Sequence, residues 1–263
     1  MKEGERVRVK TKKHTFEGIL MPRSELADTD HIVVKLGTGY NIGILKSDIE
    51  KSEVLKESEK KASAPKPKFE KGMPKIGIVA TGGTISSKVD YKTGGVFPLE
   101  SAEEMLTSIP ELANYVSIDK ISQPFQMLGE DMSPAEWGKI AKEVHKELSS
   151  AEGVIVTHGT DTLHYTAAAL SFMLRGLNKP IAVIGAQRST DRGSSDDAQN
   201  LLCAAHYCLS DIAEVAIVMH GNTNDTYCIA SRGTKVRKMH SSRRDAFRPI
   251  NEAPLAKIFP DGN

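Results

Sequence analysis

Residues 75–86 read KIGIVATGGTIS, and this stretch decides the fold. Ile76, Ile78 and Val79 make an apolar run of strand length; Gly82 and Gly83 then break the extended backbone, with Thr81 and Thr84 on either side. An apolar strand running into a glycine turn is the pattern of the first strand in a parallel α/β sheet. Ligands of such sheets bind beyond the carboxyl ends of the strands, which is where this turn falls. Its glycines let the chain turn sharply and let a ligand approach backbone N–H groups. A phosphate cradle and a plain tight turn both stay open at this point. The missing GxGxxG spacing and the missing Lys-Ser/Thr ending of a P-loop weaken the nucleotide version.

Downstream, the pattern repeats. VSIDKIS (116–122), GVIVT (153–157), PIAVIGA (180–186) and VAIVMH (215–220) read as four more strands, with helical stretches between the strands, the first around 102–108. The economical architecture is α/β, a doubly wound parallel sheet. The loop SKVDYKTGGVFPLE (87–100) carries Tyr91 and is long enough to cover the crevice as a lid. QPFQMLGEDM (123–132) brings two adjacent carboxylates, Glu130 and Asp131, to the crevice edge. Ser133, Pro134 and Glu136 then open a helix with a capping box. On it Trp137, Ile140, Ala141, Val144 and Leu148 share one face and read as core.

Upstream the chain changes character. Residues 1–55 hold short alternating or apolar runs, RVRVK, FEGIL, HIVVK and YNIGIL, separated by turn residues. They predict a small all-β, barrel-like domain with little core of its own. It reads as a docking or RNA-contact domain, or as an accessory packing module. Residues 56–73 are highly charged and contain Ala64-Pro65-Lys66-Pro67-Lys68, the composition of a linker. The α/β domain then spans 74–255, and the Pro-rich 256–263 reads as the start of another linker.

Composition narrows the function classes. A net charge of +1 supplies no global basic field for nucleic acid, so any RNA contact is local. An aromatic fraction of 5% offers no stacking platform for single-stranded RNA. No apolar run approaches the ~20 residues of a membrane span, and MKEGERVRVK has no secretory h-region. Cys203, Cys208 and Cys228 show neither CxxC spacing nor a disulfide framework and read as reduced thiols, at least two of them in the core, of a cytoplasmic protein. His158 and His220 each follow a strand, but neither has a partner at i+4, so no metal site is expected. Arg232, Lys235, Arg237, Lys238, Arg243, Arg244 and Arg248 form a basic cluster that suits tRNA phosphates, a solvated face or a subunit contact.

The second site motif is HGTDT, residues 158–162, directly after the third strand. Taken singly it is a helix N-cap as readily as a site. TGGTI on the first strand with HGTDT on the third is far more specific, and the pair resembles the bacterial-type L-asparaginase family. The run Arg232-Gly-Thr-Lys-Val-Arg-Lys238 and Asp245-Ala246-Phe247 extend the match, with Lys238 nine residues before Phe247. The resemblance covers about residues 75–255. The N-terminal β domain, the charged linker and KVRKMHSSRRDAFR make the chain similar to the D-subunit family of archaeal glutamyl-tRNA(Gln) amidotransferases.

The resemblance implies roles. Thr84 is the nucleophile on a side-chain amide, Tyr91 supports it, and Thr160, Asp161 and Lys238 form the second catalytic cluster. Asp161, with Glu130 or Asp131, would hold the substrate's α-ammonium. No cofactor is bound by this chain; ATP and Mg²⁺ are used by a partner subunit of the E type. Ammonia from glutamine would serve the conversion of Glu-tRNA(Gln) to Gln-tRNA(Gln), and the asparaginase-like domains would form a homodimer. Two departures stand out: Gly129 occupies the place where asparaginases put a serine for the substrate carboxylate, and the C-terminal domain of the family is not in the chain. The other readings are a free-standing L-asparaginase and an inactive interaction fragment.

Overall fold

The computed structural model describes residues 5–21, 30–36, 41–55, 72–83, 87–89, 96–98, 109–118, 121–188 and 194–262. Thr84, Tyr91, the linker at 56–71 and the expected helix at 102–108 lie outside the described residues. Two compact units emerge, one built on the first five strands and one on the later sheet and its helices.

In the first unit, β1 (Arg6–Thr11), β2 (Thr15–Leu20), β3 (His31–Leu36), β4 (Asn41–Leu45) and β5 (Ile49–Val54) form an antiparallel sheet in the order β4-β3-β2-β1-β5. The edge strands β4 and β5 are joined by a single 3-10 turn, Lys46–Asp48. A flat sheet of this width holds its edges about 19 Å apart. A three-residue 3-10 turn advances only about 6 Å. The sheet therefore curls until its edges approach, which is the physical content of the barrel-like expectation. Alternation sends Val7 and Val9 inward, where they meet Leu20, Val34 and Ile44. Outward-facing Arg8 sits between its cross-strand partners and bonds Glu17 at 2.5 Å and Glu53 at 2.9 Å.

From Lys75 onward the strands are β6 (Ile76–Ala80), β7 (Ser87–Val89), β8 (Val96–Pro98), β9 (Ile121–Ser122), β10 (Gly153–Thr157), β11 (Ile181–Ile184), β12 (Val215–His220), β13 (Cys228–Arg232), β14 (Val236–Lys238), β15 (Phe247–Pro249) and β16 (Ala256–Ile258). Seven of them make one sheet, ordered β16-β13-β12-β11-β10-β6-β9. β9, β6, β10, β11 and β12 run parallel, as expected for a doubly wound sheet. β13 and β16 then add antiparallel to the β12 edge. Residues 256–258, read from the sequence as the start of a linker, are thus an edge strand; three residues between prolines are too short to show a period. β14 pairs with β15, and β7 with β8, as separate ribbons.

Both faces of the seven-stranded sheet are covered. Ile76, Ile78, Ile155, Ala182 and Ile184 point to the layer of helix α3 (Asp197–Cys208), with Leu201 and Ala204. Val79, Val154, Val156 and Val183 point the other way, against helices α1 (Pro134–Leu148) and α2 (Leu163–Met173). The period-two split of strands buried on both faces explains why they read as continuous apolar runs. The capping box at Ser133 and Glu136 is present. Ile140, Ala141 and Val144 are buried, whereas Trp137 is only half-buried and keeps a polar bond. All three cysteines are buried and free, and burial pushes the Cys208 thiol up to about 12.

Candidate active site

The carboxyl ends of β6 and β10 meet through main chain. Thr81 donates both its N–H (3.1 Å) and its hydroxyl (2.9 Å) to the carbonyl of Thr157, and its own carbonyl accepts the N–H of Met127 at 3.1 Å. Beyond it Gly82 and Gly83 turn with φ of 108° and 85°. A Cβ on Gly83 would lie 2.4 Å from the Cα of Gly159, and one on Gly159 would lie 2.8 Å from the Cα of Gly129. Three segments, the TGGT turn, the HGTDT turn and the 123–132 loop, therefore stack backbone on backbone, a closeness that only glycine permits. At Gly129, the family's serine position, a Cβ would be 3.2 Å from the Gly159 carbonyl carbon, a tight contact. Thr162 adds a clasp, its hydroxyl donating to the Gly129 carbonyl at 2.5 Å.

On this platform stand Thr160 and Asp161. Lys238 reaches them from β14, its Nζ donating to Thr160 Oγ1 at 2.8 Å and to Asp161 Oδ1 at 2.9 Å. The lysine side chain is 9% exposed and the Asp161 side chain 66%, so the pair joins a sheltered cation to a carboxylate open to the crevice. The nine-residue spacing between Lys238 and Phe247 is a hairpin: the two are directly opposite each other across β14 and β15. Phe247 and Val236 are buried in the core beneath α2, which anchors the ribbon that carries the lysine. The geometry unites Thr160, Asp161 and Lys238. Glu130 and Asp131 are exposed in the 3-10 turn that begins at Gly129, next to the stacked glycines. Thr84 follows Gly83 in the chain and, with Tyr91, is outside the described residues.

The remaining candidates have structural partners. His158 and His220 are both fully buried. His158 bonds Thr166 and the Gly159 carbonyl, and His220 bonds Asn200 at 2.7 Å and Asp225 at 3.1 Å. Burial holds His158 down at about 4, so its ring is neutral at pH 7. The basic cluster is laced with acceptors. Arg232 pairs with Glu214 and Glu252, Arg244 with Asp225, and both Arg243 and Arg248 with the buried Asp245. Lys235 bonds Asn251, and Arg237 bonds Tyr165. The Arg243 guanidinium foremost, with Arg248, holds the Asp245 carboxyl below the usual carboxylate range.

Sequence reasoning passed over Gln187. Its Oε1 lies 3.4 Å from Thr160 Oγ1, and its backbone N–H is held by the buried Asp196, which also takes the N–H of Arg188. The available signal was position: Gln187 opens the polar loop just past β11, on the carboxyl side of the sheet where the other site turns lie.

Similarity to known proteins extends over both parts of the chain. The family described as Asparaginase, N-terminal, matches residues 75–263, and the GatD N-terminal domain matches residues 1–55. The D-subunit of the glutamyl-tRNA(Gln) amidotransferase of Thermococcus kodakarensis is 53% identical over 255 residues, covering 94% of this chain and 57% of that protein. Its counterpart in Archaeoglobus fulgidus is 48% identical over 256 residues, covering 97% and 59%. The chain thus spans less than two thirds of the length of these relatives. Among solved structures, the thermostable L-asparaginase from Thermococcus kodakarensis superposes with a TM-score of 0.61 at 28% identity, over 70% of this chain and 53% of that one. A probable cytoplasmic L-asparaginase from Campylobacter jejuni gives 0.61 at 25% identity, over 72% and 55%. With both glycine turns and the Lys238 hairpin inside the matched span, the chain belongs to the asparaginase family.

Proposed function

We propose that this chain is the amide-hydrolysing part of a tRNA-dependent amidotransferase, releasing ammonia from the side chain of glutamine. The observation that carries the reading is the Lys238 Nζ, shared between Thr160 Oγ1 and Asp161 Oδ1 at the carboxyl end of β10. Similarity to amidotransferase D-subunits over 94% of the chain, rather than over the asparaginase-like part alone, supports the amidotransferase form.

In this reading the Thr84 oxygen attacks the amide carbon. A neutral hydroxyl is a poor nucleophile, and a nearby cation lowers the cost of its developing negative charge. Lys238 supplies that cation through Thr160. The threonine proton ends on the departing nitrogen, ammonia leaves, and a γ-glutamyl ester remains on Thr84. Water then attacks the ester carbon, frees glutamate and restores the hydroxyl. Backbone N–H groups of the glycine turns offer donors for the oxyanion. Asp161, with Glu130 or Asp131, holds the α-ammonium, and Tyr91 supports the nucleophile. A partner subunit of the E type activates the carboxylate of Glu-tRNA(Gln) with ATP and Mg²⁺ and receives the ammonia. The assembly is a homodimer of asparaginase-like domains in the cytoplasm.

The test measures ammonia from glutamine and from asparagine, with the chain alone and with the partner, tRNA and ATP added. Thr84→Ala and Lys238→Met are each expected to cut the rate about 10²–10⁴-fold while leaving the circular dichroism unchanged. A Thr84→Ala protein that kept its rate would remove the nucleophile assignment. Brisk asparagine hydrolysis by the chain alone, indifferent to the partner, would favour a free-standing asparaginase instead.

A further inference from the structure

Three polar side chains cross the apolar layer between β10, α1 and α2. Trp137 Nε1 donates to Thr166 Oγ1 at 3.0 Å, Thr166 Oγ1 lies 2.8 Å from His158 Nε2, and His158 Nδ1 lies 2.7 Å from the Gly159 carbonyl. Thr166 and His158 have no solvent exposure. The direction of every bond follows from chemistry. A carbonyl only accepts, so the imidazole proton is on Nδ1 and is donated to Gly159. The buried ring carries one proton, so Nε2 is bare and accepts the Thr166 hydroxyl. That hydroxyl oxygen in turn accepts the indole N–H. Each group is used in one orientation, and the chain of bonds ends on the main chain of the HGTDT turn.

Apolar residues in place of these three would avoid the cost of burying polar atoms. What the polar chain adds is a directional hold on Gly159, whose backbone is stacked against those of Gly83 and Gly129. Trp137 lies in the first turn of α1, shortly after Glu130 and Asp131. The Thr162 bond to Gly129 closes the same loop from the other direction. We infer that Trp137, Thr166 and His158 form a one-way relay that positions the Gly159 turn, and with it the carboxylates at 130, 131 and 161, for the reaction. His158 and Thr166 are positioning residues, since neither touches the crevice. The inference rests on the amidase reading of the HGTDT turn.

Trp137 is the only tryptophan in the sequence, so its emission reports the relay directly. The experiment compares Thr166→Val, which removes the hydroxyl and keeps the shape, with Thr166→Ser, which keeps the hydroxyl. In the full chain three quantities are read: tryptophan emission, amide hydrogen exchange over residues 158–162, and kcat and KM for glutamine. Thr166→Val is expected to shift the emission, speed exchange about tenfold and lower kcat about tenfold with KM within about twofold; the serine variant restores all three. Exchange and kcat at wild-type values in a folded Thr166→Val protein overturn the inference, as does a serine variant that behaves like valine. If the valine variant does not fold, Trp137→Phe takes its place and is expected to speed the same exchange; unchanged exchange overturns the inference. If the wild-type chain hydrolyses neither amide even with the partner, tRNA and ATP added, the functional reading falls, and the exchange comparison still decides the relay.

Discussion

His158 carries the clearest pH dependence at the scale of one residue. Burial lowers its folded pKa from 6.5 to about 4, against a smaller opposing effect of the Gly159 carbonyl. Between those values the unfolded chain takes up a proton that the folded chain does not, so stability falls as pH falls from 6.5 toward 4. The loss amounts to about 3 kcal/mol over that window. Urea unfolding at pH 7 and pH 4.5 tests this, with His158→Gln expected to lose less on acidification than the wild type. Equal losses would mean that the imidazole is not the group responsible. Lys238 shows the other use of burial: a side chain 9% exposed keeps its ammonium beside one hydroxyl and one carboxylate instead of the bulk solvent.

At the scale of elements, the site is held by a hairpin and a stack of turns. Phe247 is 1% exposed and lies opposite Lys238, so the ribbon of β14 and β15 is nailed to the core at the position that matters. Phe247→Ala is expected to cost about 3–5 kcal/mol in unfolding free energy and to lower amide hydrolysis beyond what stability explains at temperatures where the protein stays folded. A variant that lost stability but kept its rate would show that the ribbon does not aim the lysine. The stacked turns make a sharper prediction. Gly159→Ala places a methyl 2.8 Å from backbone atoms at Gly129, and no flexible side chain is there to yield. Activity is expected to collapse in this variant, measured as ammonia release, whereas Gly138→Ala, with nothing within 4 Å of its added methyl, leaves it unchanged.

On the scale of the whole molecule, the chain is two units with separate cores. Val7, Val9, Leu20, Val34 and Ile44 make one, and the two layers of the seven-stranded sheet make the other. Removing residues 1–55 is therefore expected to leave the larger unit folded, with a cooperative thermal transition and its ammonia release retained, while tRNA-dependent amidation is lost. Loss of the thermal transition would show that the larger unit needs the smaller. The basic run after β13 bears on the same question. Arg232, Arg243, Arg244 and Arg248 are engaged with Glu214, Glu252, Asp225 and Asp245, and Arg237 with Tyr165, so it is a paired ribbon before it is an open phosphate-binding surface. Among the described residues no helix is long and apolar enough to cross a membrane.

Local pattern alone determined the strand that opens the α/β unit, the parallel sheet that follows from apolar runs alternating with helices, and the two turns at its carboxyl edge. These features are short-range: a run of Ile and Val, a glycine pair or a capping box is written in neighbouring residues. Motif resemblance added Lys238 through its spacing from Phe247. The antiparallel edge of β13 and β16 was illegible, since the three residues of β16 carry no period and the five of β13 do not reveal which way they pair. Three further facts required the tertiary structure. Gly159 is glycine because the backbone of Gly129 lies against it, Gln187 meets Thr160 from the loop past β11, and His158 is wired through Thr166 to a tryptophan on α1. Each joins residues far apart in the chain whose contact exists only once the sheet has brought the turn that follows the KIGIVATGG strand against its neighbours.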